Sequence, residues 1–578
     1  MFINRYNGKQ KGYIIFIVIL LLPILFLTGT TILSSVSDES RFADMELNKK
    51  IAFYLAESAE ASAMYELSGS NYSQFTHDSN LVPLSEFNRL AITLDNLRVD
   101  EEGWYVWTWE PGDTHPSFTS NGKPEMYRYR IYPYETSQWK LEAEGYYGNA
   151  VRKIEVVGEN QAAFEYALFA NNELSEFVRG PDQFVDGKIH SNGNLYFRPT
   201  GSTLTISGAR VTSAGKMIRW EDAWRRPDRG GTVRIEDAYG GMGIMAGHSQ
   251  GASGQGNAFD SDNELWLDDE QGALPRWGGS VIDGGLGSVR VEPPPIESIS
   301  EGGFYERNAG LVIDENSKGP GIKKVDDFYN PAEQTHQTVM DINMHQLKYP
   351  ANGLIYAKMP IRLVRGNELK TPVTIVSNSN IYTQGDFNKK YGNRDDFVHK
   401  RITKKPAALV SSARIYHLSD GWDDKYNKPG DSMSRAEEKR SYPGDEEGVL
   451  EINSAIIDGA PTVDEINYVE KWKNEENPLY NPVDRPGGKY CWANSDDFLE
   501  NWSGMKVRKK GSIVHLENGD MAELDNSDAG PGKTAWVYKT HYSPPIREYS
   551  YDEDLRLPVN QPPFFTVMSR RVNWKLVK

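Results

Sequence analysis

The stretch that most constrains this chain lies near its start: "YIIFIVILLLPILFLTGTTIL", Tyr13 to Leu33, carries no charged residue. Such a run is about as long as a helix needs to cross the hydrocarbon core of a bilayer. Arg5, Lys9 and Lys11 precede it, and Asp38, Glu39, Arg41, Asp44 and Glu46 follow. Basic flanks stay on the cytoplasmic side. The pattern therefore predicts a basic cytoplasmic leader at 1–12, a transmembrane helix at 13–35 and an outward-facing remainder. A cleaved secretory signal is the competing reading. Against it stand the length of the apolar core, the lack of a clean small-x-small site and the helical patterning that continues beyond it.

Leu47, Ile51, Leu55, Ala59, Ala63 and Leu67 step by four and share one face, with Ala52 and Ala56 beside them. Pro23 is tolerable within a membrane helix. One long helix from about 13 to 68 is predicted, its inner half in lipid and its outer half packed on a domain.

"KQKGYIIFIVILLL" followed by "AFYLAESAEASAMYEL" resembles the N-terminus of PilX-type pilus assembly proteins, a branch of the type IV pilin superfamily. The resemblance makes Gly12 the leader glycine and Tyr13 the first residue after processing by a prepilin peptidase. It also implies the bacterial inner (cytoplasmic) membrane and pilus association at the cell surface. The fifth residue after Gly12 is Ile17, where the major-pilin pattern has glutamate, and this argues against a routine filament subunit. Helices associate in lipid through close packing. Gly29, with Thr28, Thr30 and Thr31 around it, and Ala52, Ala56, Ala59 and Ala63 are therefore the candidate helix-packing residues.

Beyond the helix, "NRLAITLDNLRVD", "GWYVWTWEP", "MYRYRIYPYET", "WKLEAEGYYGN" and "AVRKIEVVGE" read as short alternating strands. In "YRYRIYP", Tyr127, Tyr129 and Ile131 fall on one side and Arg128, Arg130 and Tyr132 on the other. A helix and then an antiparallel meander is the element order of a pilin-like α+β head, here 36–158.

The rest, 159–578, repeats one form: apolar alternation, a polar corner, another strand. "GKIHSNGNLYF", "TPVTIVSNSNIYTQGDFN" and "AALVSSARIYHLSD" are examples. With 52 Gly and 31 Pro to supply turns, the expected fold class is mainly β with one long N-terminal α-helix. The head is followed by a β-helix of stacked rungs. Because no strict period is present, a β-sandwich is the alternative. Several of these blocks, with "NWSGMKVRKKGSIVHL", also resemble large membrane-anchored PilX-like proteins that carry a β-rich extracytoplasmic domain of unknown function.

Candidate chemistry is sparse. "GHSQG" (247–251) matches G-x-S-x-G, but a nucleophile elbow needs a strand before the serine and a helix after it. The flanks of Ser249 are glycine-rich, so 237–257 is read as a Gly-rich loop. His190 in "DGKIHSNGN", with Asp186, Asn192 and Asn194, is read as a rung corner, where Asn side chains bond local backbone. In "FDSDNELWLDDE", Asp260, Asp262 and Glu264 begin like a Ca²⁺ loop but lack the glycine of the sharp turn; they are the candidate Ca²⁺ ligands set against a solvated acidic loop. The lone Cys491 has no disulfide partner. No other cofactor is expected.

A net charge of −17 argues against nucleic acid as a partner. The expected partners are membrane lipid, other pilin-like subunits or pilus assembly platform proteins, and a possible surface glycan. The expected function is that of a non-catalytic, membrane-anchored minor pilin-like component, with an exposed β domain for assembly, tip display or adhesion. The alternative is a membrane-tethered β-helix carbohydrate-active enzyme or glycan-binding surface protein.

Overall fold

The computed structural model describes residues 10–68, 97–99, 104–108, 126–135, 138–177, 181–219, 231–246, 259–330, 335–391, 402–424, 448–459, 497–516 and 545–577, apart from a few single positions and short breaks within these spans. Ser249 and Cys491 lie outside them. The chain is mainly β with one long N-terminal helix, and it divides into two compact units. Unit 1 comprises Met1–Glu66, Val82–Gly158 and Val572–Lys578; unit 2 comprises Leu67–Leu81 and Glu159–Arg571.

In unit 1, helix α1 runs unbroken from Gln10 to Ser68 and accommodates Pro23. At 1.5 Å per residue, 59 residues extend for about 90 Å. The sheet of unit 1 is laid down in order as β1 (Leu97–Val99), β2 (Tyr105–Thr108), β3 (Met126–Glu135), β4 (Gln138–Tyr147) and β5 (Ala150–Ala162). Its next strand is the C-terminal Val567–Val577, whose last residues belong to unit 1. The sequence reading assigned everything beyond 158 to one β region. Pairing between strands some 400 residues apart leaves no local signature to read.

Alternation sorts the two faces of this sheet. Tyr127, Tyr129, Leu141 and Ala143 are buried. The opposite face is a charge ladder: Arg128–Glu144 at 2.8 Å, Arg130–Glu142 at 2.6 Å, Lys153–Glu142 at 3.2 Å and Lys140–Glu155 at 3.2 Å. Trp104 is buried beneath the guanidinium groups of Arg128 and Arg130, 4.2 and 4.5 Å from its ring centre.

Unit 2 is built mainly from parallel pairings, in which consecutive strands of the chain add to different sheets. Leu354–Ala357, for example, is followed by Ile361–Val364, and each pairs in parallel with the equivalent strand one circuit later. One unbroken apolar column crosses the largest sheet: Leu311, Ile355, Ile375, Leu409, Ile456, Ile513, Leu168, Ile189, Val211 and Val281, each the register partner of the next. All but Leu311 are buried. Burying β-branched and leucine side chains in register is what makes short strands stable here.

This column does not follow chain order. The chain enters at Leu168–Ala170 and moves outward through 189–191 and 211–213 to Val281–Ile282. It resumes at the far edge with Leu311–Ile313 and returns strand by strand to Lys506–His515, which closes on Leu168–Ala170. The first and last circuits of unit 2 are thus neighbours in mid-sheet. Antiparallel hairpins stand at sheet ends: Thr232–Glu236 with Met242–Met245, and Ile322–Asn330 with Thr335–Asn343. Such hairpins blunt the edges of a stack.

The first of these corrects the reading of 237–257 as a loop throughout. Met242–Met245, within "GGMGIM", is a strand. A Cβ on Gly243 would sit 2.4 Å from the indole nitrogen of Trp277, so glycine is required there by the close approach of the ring.

Candidate functional site

Helix α1 has two contrasting stretches. From Ile19 to Leu47 its large apolar side chains are exposed, including Leu25, Phe26, Leu27 and Leu33. The hydroxyls of Thr28 and Thr31 donate to the carbonyls of Ile24 and Leu27, four residues back, at 2.9 and 2.8 Å, which keeps these polar groups satisfied on an apolar surface. Gly29 has nothing within 4 Å of the place its Cβ would occupy. The helix is long and apolar enough to cross a membrane, a test that a signal sequence near the N-terminus also passes. Gly12 and Tyr13 lie within its opening turns.

Ala52, Ala56, Ala59 and Ala63 are all fully buried. The structure places them against the unit's own sheet. A Cβ on Gly145 of β4 would meet the Ala52 carbonyl at 2.1 Å and the Ala56 nitrogen at 2.4 Å. Small residues on both surfaces bring the helix backbone onto the strand. The alanine face, expected to meet other helices, is therefore occupied within the chain, and Gly29 lies on the stretch that remains open.

Two residues of this face escaped the sequence reading. Glu60 is only 4% exposed and accepts a hydrogen bond from the Trp574 indole at 3.1 Å. The Ser62 hydroxyl lies 3.2 Å from that of Tyr127. "AESAEASA" carries the only available signal, a glutamate at the spacing of the buried alanines.

The remaining candidates resolve into structural roles. His190 is buried, with Nδ1 2.7 Å from the Thr212 hydroxyl and Nε2 3.0 Å from Asn192 Oδ1, and its ring stacks on Phe169. Asn192 in turn bonds both backbone groups of Val291. Asp186 accepts from Ser207, away from that cluster. Ser191, Ser213, Ser377 and Ser411, each the last residue of its strand, each donate to a backbone carbonyl. At Asp458 and His515, register partners on adjacent strands, His515 Nδ1 lies 2.6 Å from Asp458 Oδ1, and the His side chain is only 1% exposed. His417 is fully buried against Thr383 at 2.7 Å, and burial pushes its pKa well below the usual imidazole value. None of these three histidines opens to solvent.

Asp260 is buried and accepts from the Arg219 and Asp262 backbone nitrogens. Asp262 pairs with Lys216 at 2.6 Å, and Glu264 is exposed. Among the described residues no group of three or more His, Cys, Asp or Glu side chains is gathered as a metal site. In this structure Asp260 takes part in a turn and Asp262 in an ion pair.

What these surfaces define is a class: a mainly β protein whose long N-terminal helix is packed on a sheet over Ala52–Ala63 and exposes described apolar side chains between Ile19 and Leu47. No known family profile and no curated protein matches the chain. Among solved structures, the competence-associated pilin ComZ from Thermus thermophilus aligns over 92% of this chain and 97% of its own, at 11% identity and a TM-score of 0.27. A superposition that loose defines no common fold.

Proposed function

We propose that this protein is a membrane-anchored, non-catalytic minor pilin-like component of a type IV pilus or pseudopilus-type assembly. The exposed stretch of α1 is the membrane and assembly element, with its N-terminus in the cytoplasm of a bacterial cell and the bulk of the chain outside. Unit 1 is its pilin-like head, and unit 2 is a β-helix carried outward for assembly, tip display or adhesion. The observation that carries this reading is the division of α1: one uninterrupted helix, fixed to a sheet through its alanine face and with its described large apolar side chains uncovered between Ile19 and Leu47. The leader glycine, apolar helix and "AES" turn supply the resemblance that names the assembly.

The test is site-specific photocrosslinking in the native membrane from positions 24, 29 and 33. Capture of a pilin or a platform protein is expected. Capture of lipid alone from every position would leave the helix as a simple tether and overturn the proposal.

A further inference from the structure

Independently of that reading, one buried cluster in unit 2 has the composition of a self-condensing centre. After the strand Ile381–Gln384 the chain turns outward, and Asp386, Asn388 and Lys389 lie beside Glu451 and Asn453 of the strand Val449–Asp458. The backbone bridge Phe387–Ile452 fixes the two segments in register. Lys389 is 4% exposed, Asp386 7% and Glu451 4%. Lys389 Nζ lies 3.1 Å from Asp386 Oδ2 and 3.6 Å from Glu451 Oε2. The Glu451 amide donates to Asp386 Oδ1 at 2.8 Å, and Asn453 Nδ2 donates to Glu451 Oε1 at 3.2 Å. Arg508 reaches Glu451 at 3.6 Å from the solvent side.

We propose that Lys389 and Asp386 join through an amide bond between Nζ and Cγ, with Glu451 as the proton carrier. In the step, Lys389 passes its ammonium proton through Glu451 to the Asp386 carboxylate, and the neutral amine attacks Cγ of the carboxylic acid so formed. The Nζ–Cγ bond forms, Glu451 takes a second proton from the nitrogen and delivers it to the Asp386 hydroxyl, the Cγ–Oδ bond breaks and water leaves, with Glu451 again a carboxylate. One ammonium and one carboxylate become an amide and water, so no further reactant is needed.

Three arguments support it. Holding three ionised groups out of water is costly even when they are paired, and condensation removes two of those charges. Fixed contact between amine and carboxyl supplies the high effective concentration that a condensation needs, about 10⁵ M or more for well-oriented groups. Burial also pushes the Asp386 carboxyl up to about 6, against the pull of Lys389, which favours the protonated electrophile. Asn453 holds the second oxygen of Glu451, orienting it toward the amine.

Intact-mass measurement on the denatured full-length protein tests this directly. The wild type is expected to be one water molecule lighter than its sequence, with a tryptic peptide uncleaved after Lys389 and fragment ions missing between 386 and 389. Lys389→Arg, which keeps the charge, is expected at full mass, and Glu451→Gln at full mass or incompletely condensed. A wild type at full sequence mass with ordinary cleavage after Lys389 overturns the proposal. Loss of water that maps to Lys389 and Glu451 instead overturns the assignment of Asp386.

Discussion

At the scale of single residues, glycine and histidine carry the sharpest constraints. Gly145 lets the helix backbone rest on β4, and any side chain there meets main-chain atoms rather than a movable side chain. Gly145→Ala is therefore expected to destabilise unit 1 by about 1–3 kcal/mol, the usual range for overpacking, read by denaturant unfolding and by faster amide exchange across Ala52–Ala63. An unchanged exchange profile would mean that the contact is not held in solution. His417 sets a pH dependence whose sign is fixed. Its folded pKa is depressed, so below the ordinary imidazole value of about 6.5 the unfolded chain binds a proton that the folded chain refuses. Stability therefore falls as pH drops through that region. His417→Gln is expected to flatten the slope between about pH 7 and 5 relative to wild type, measured as urea midpoints across that range.

At the scale of elements, α1 gains its outer anchorage from a strand at the other end of the chain. Trp574→Phe removes the indole donor to Glu60 while keeping most of the ring. A loss of about 1–3 kcal/mol is expected for a buried hydrogen-bonded carboxylate deprived of a partner. Raised protease sensitivity confined to unit 1 would be the accompanying sign. Sequence periodicity placed this helix almost to the residue, because a four-residue step of Leu, Ile and Ala is a local signal. It also placed the inward tyrosines of β3, because alternation is local too. It missed the strand Met242–Met245, whose Gly243 answers to a Trp277 ring more than thirty residues away. It assigned the alanine face to partner helices for a related reason: small residues mark close packing without saying what packs.

At the scale of the whole molecule, the topology makes the main segment of unit 2, Glu159–Arg571, an insertion. The chain leaves unit 1 after β5 and returns along the strand Val567–Val577, and these two strands are neighbours in one sheet. A short turn in place of 163–566 is expected to leave a folded unit 1 that still enters the membrane, assayed by limited proteolysis and membrane fractionation. Failure of that shortened chain to resist protease would show that unit 1 depends on its insert. The closure of unit 2 by its first and last circuits carries a folding consequence. Long-range pairing of this kind costs loop-closure entropy before it contributes contacts. Weakening the closing strand by Ile513→Ala, which removes one member of the apolar column, is expected to cost about 2–5 kcal/mol and to slow refolding of unit 2.

The sequence by itself determined the uncharged segment, the long helix with its apolar face, the alternating strands and the polar corners. All of these follow from side-chain periodicities of 3.6 and 2 that act between neighbours in the chain. Only the tertiary structure decided which surface the alanines cover, that the last strand belongs with the first sheet, and that the circuits of unit 2 close in mid-stack. It also decided that Asp260 and Asp262 bind backbone and Lys216, and that Asp386, Lys389 and Glu451 share one dry contact. Those outcomes depend on which distant surfaces exclude water together, and nothing in the spacing of nearby residues encodes that choice.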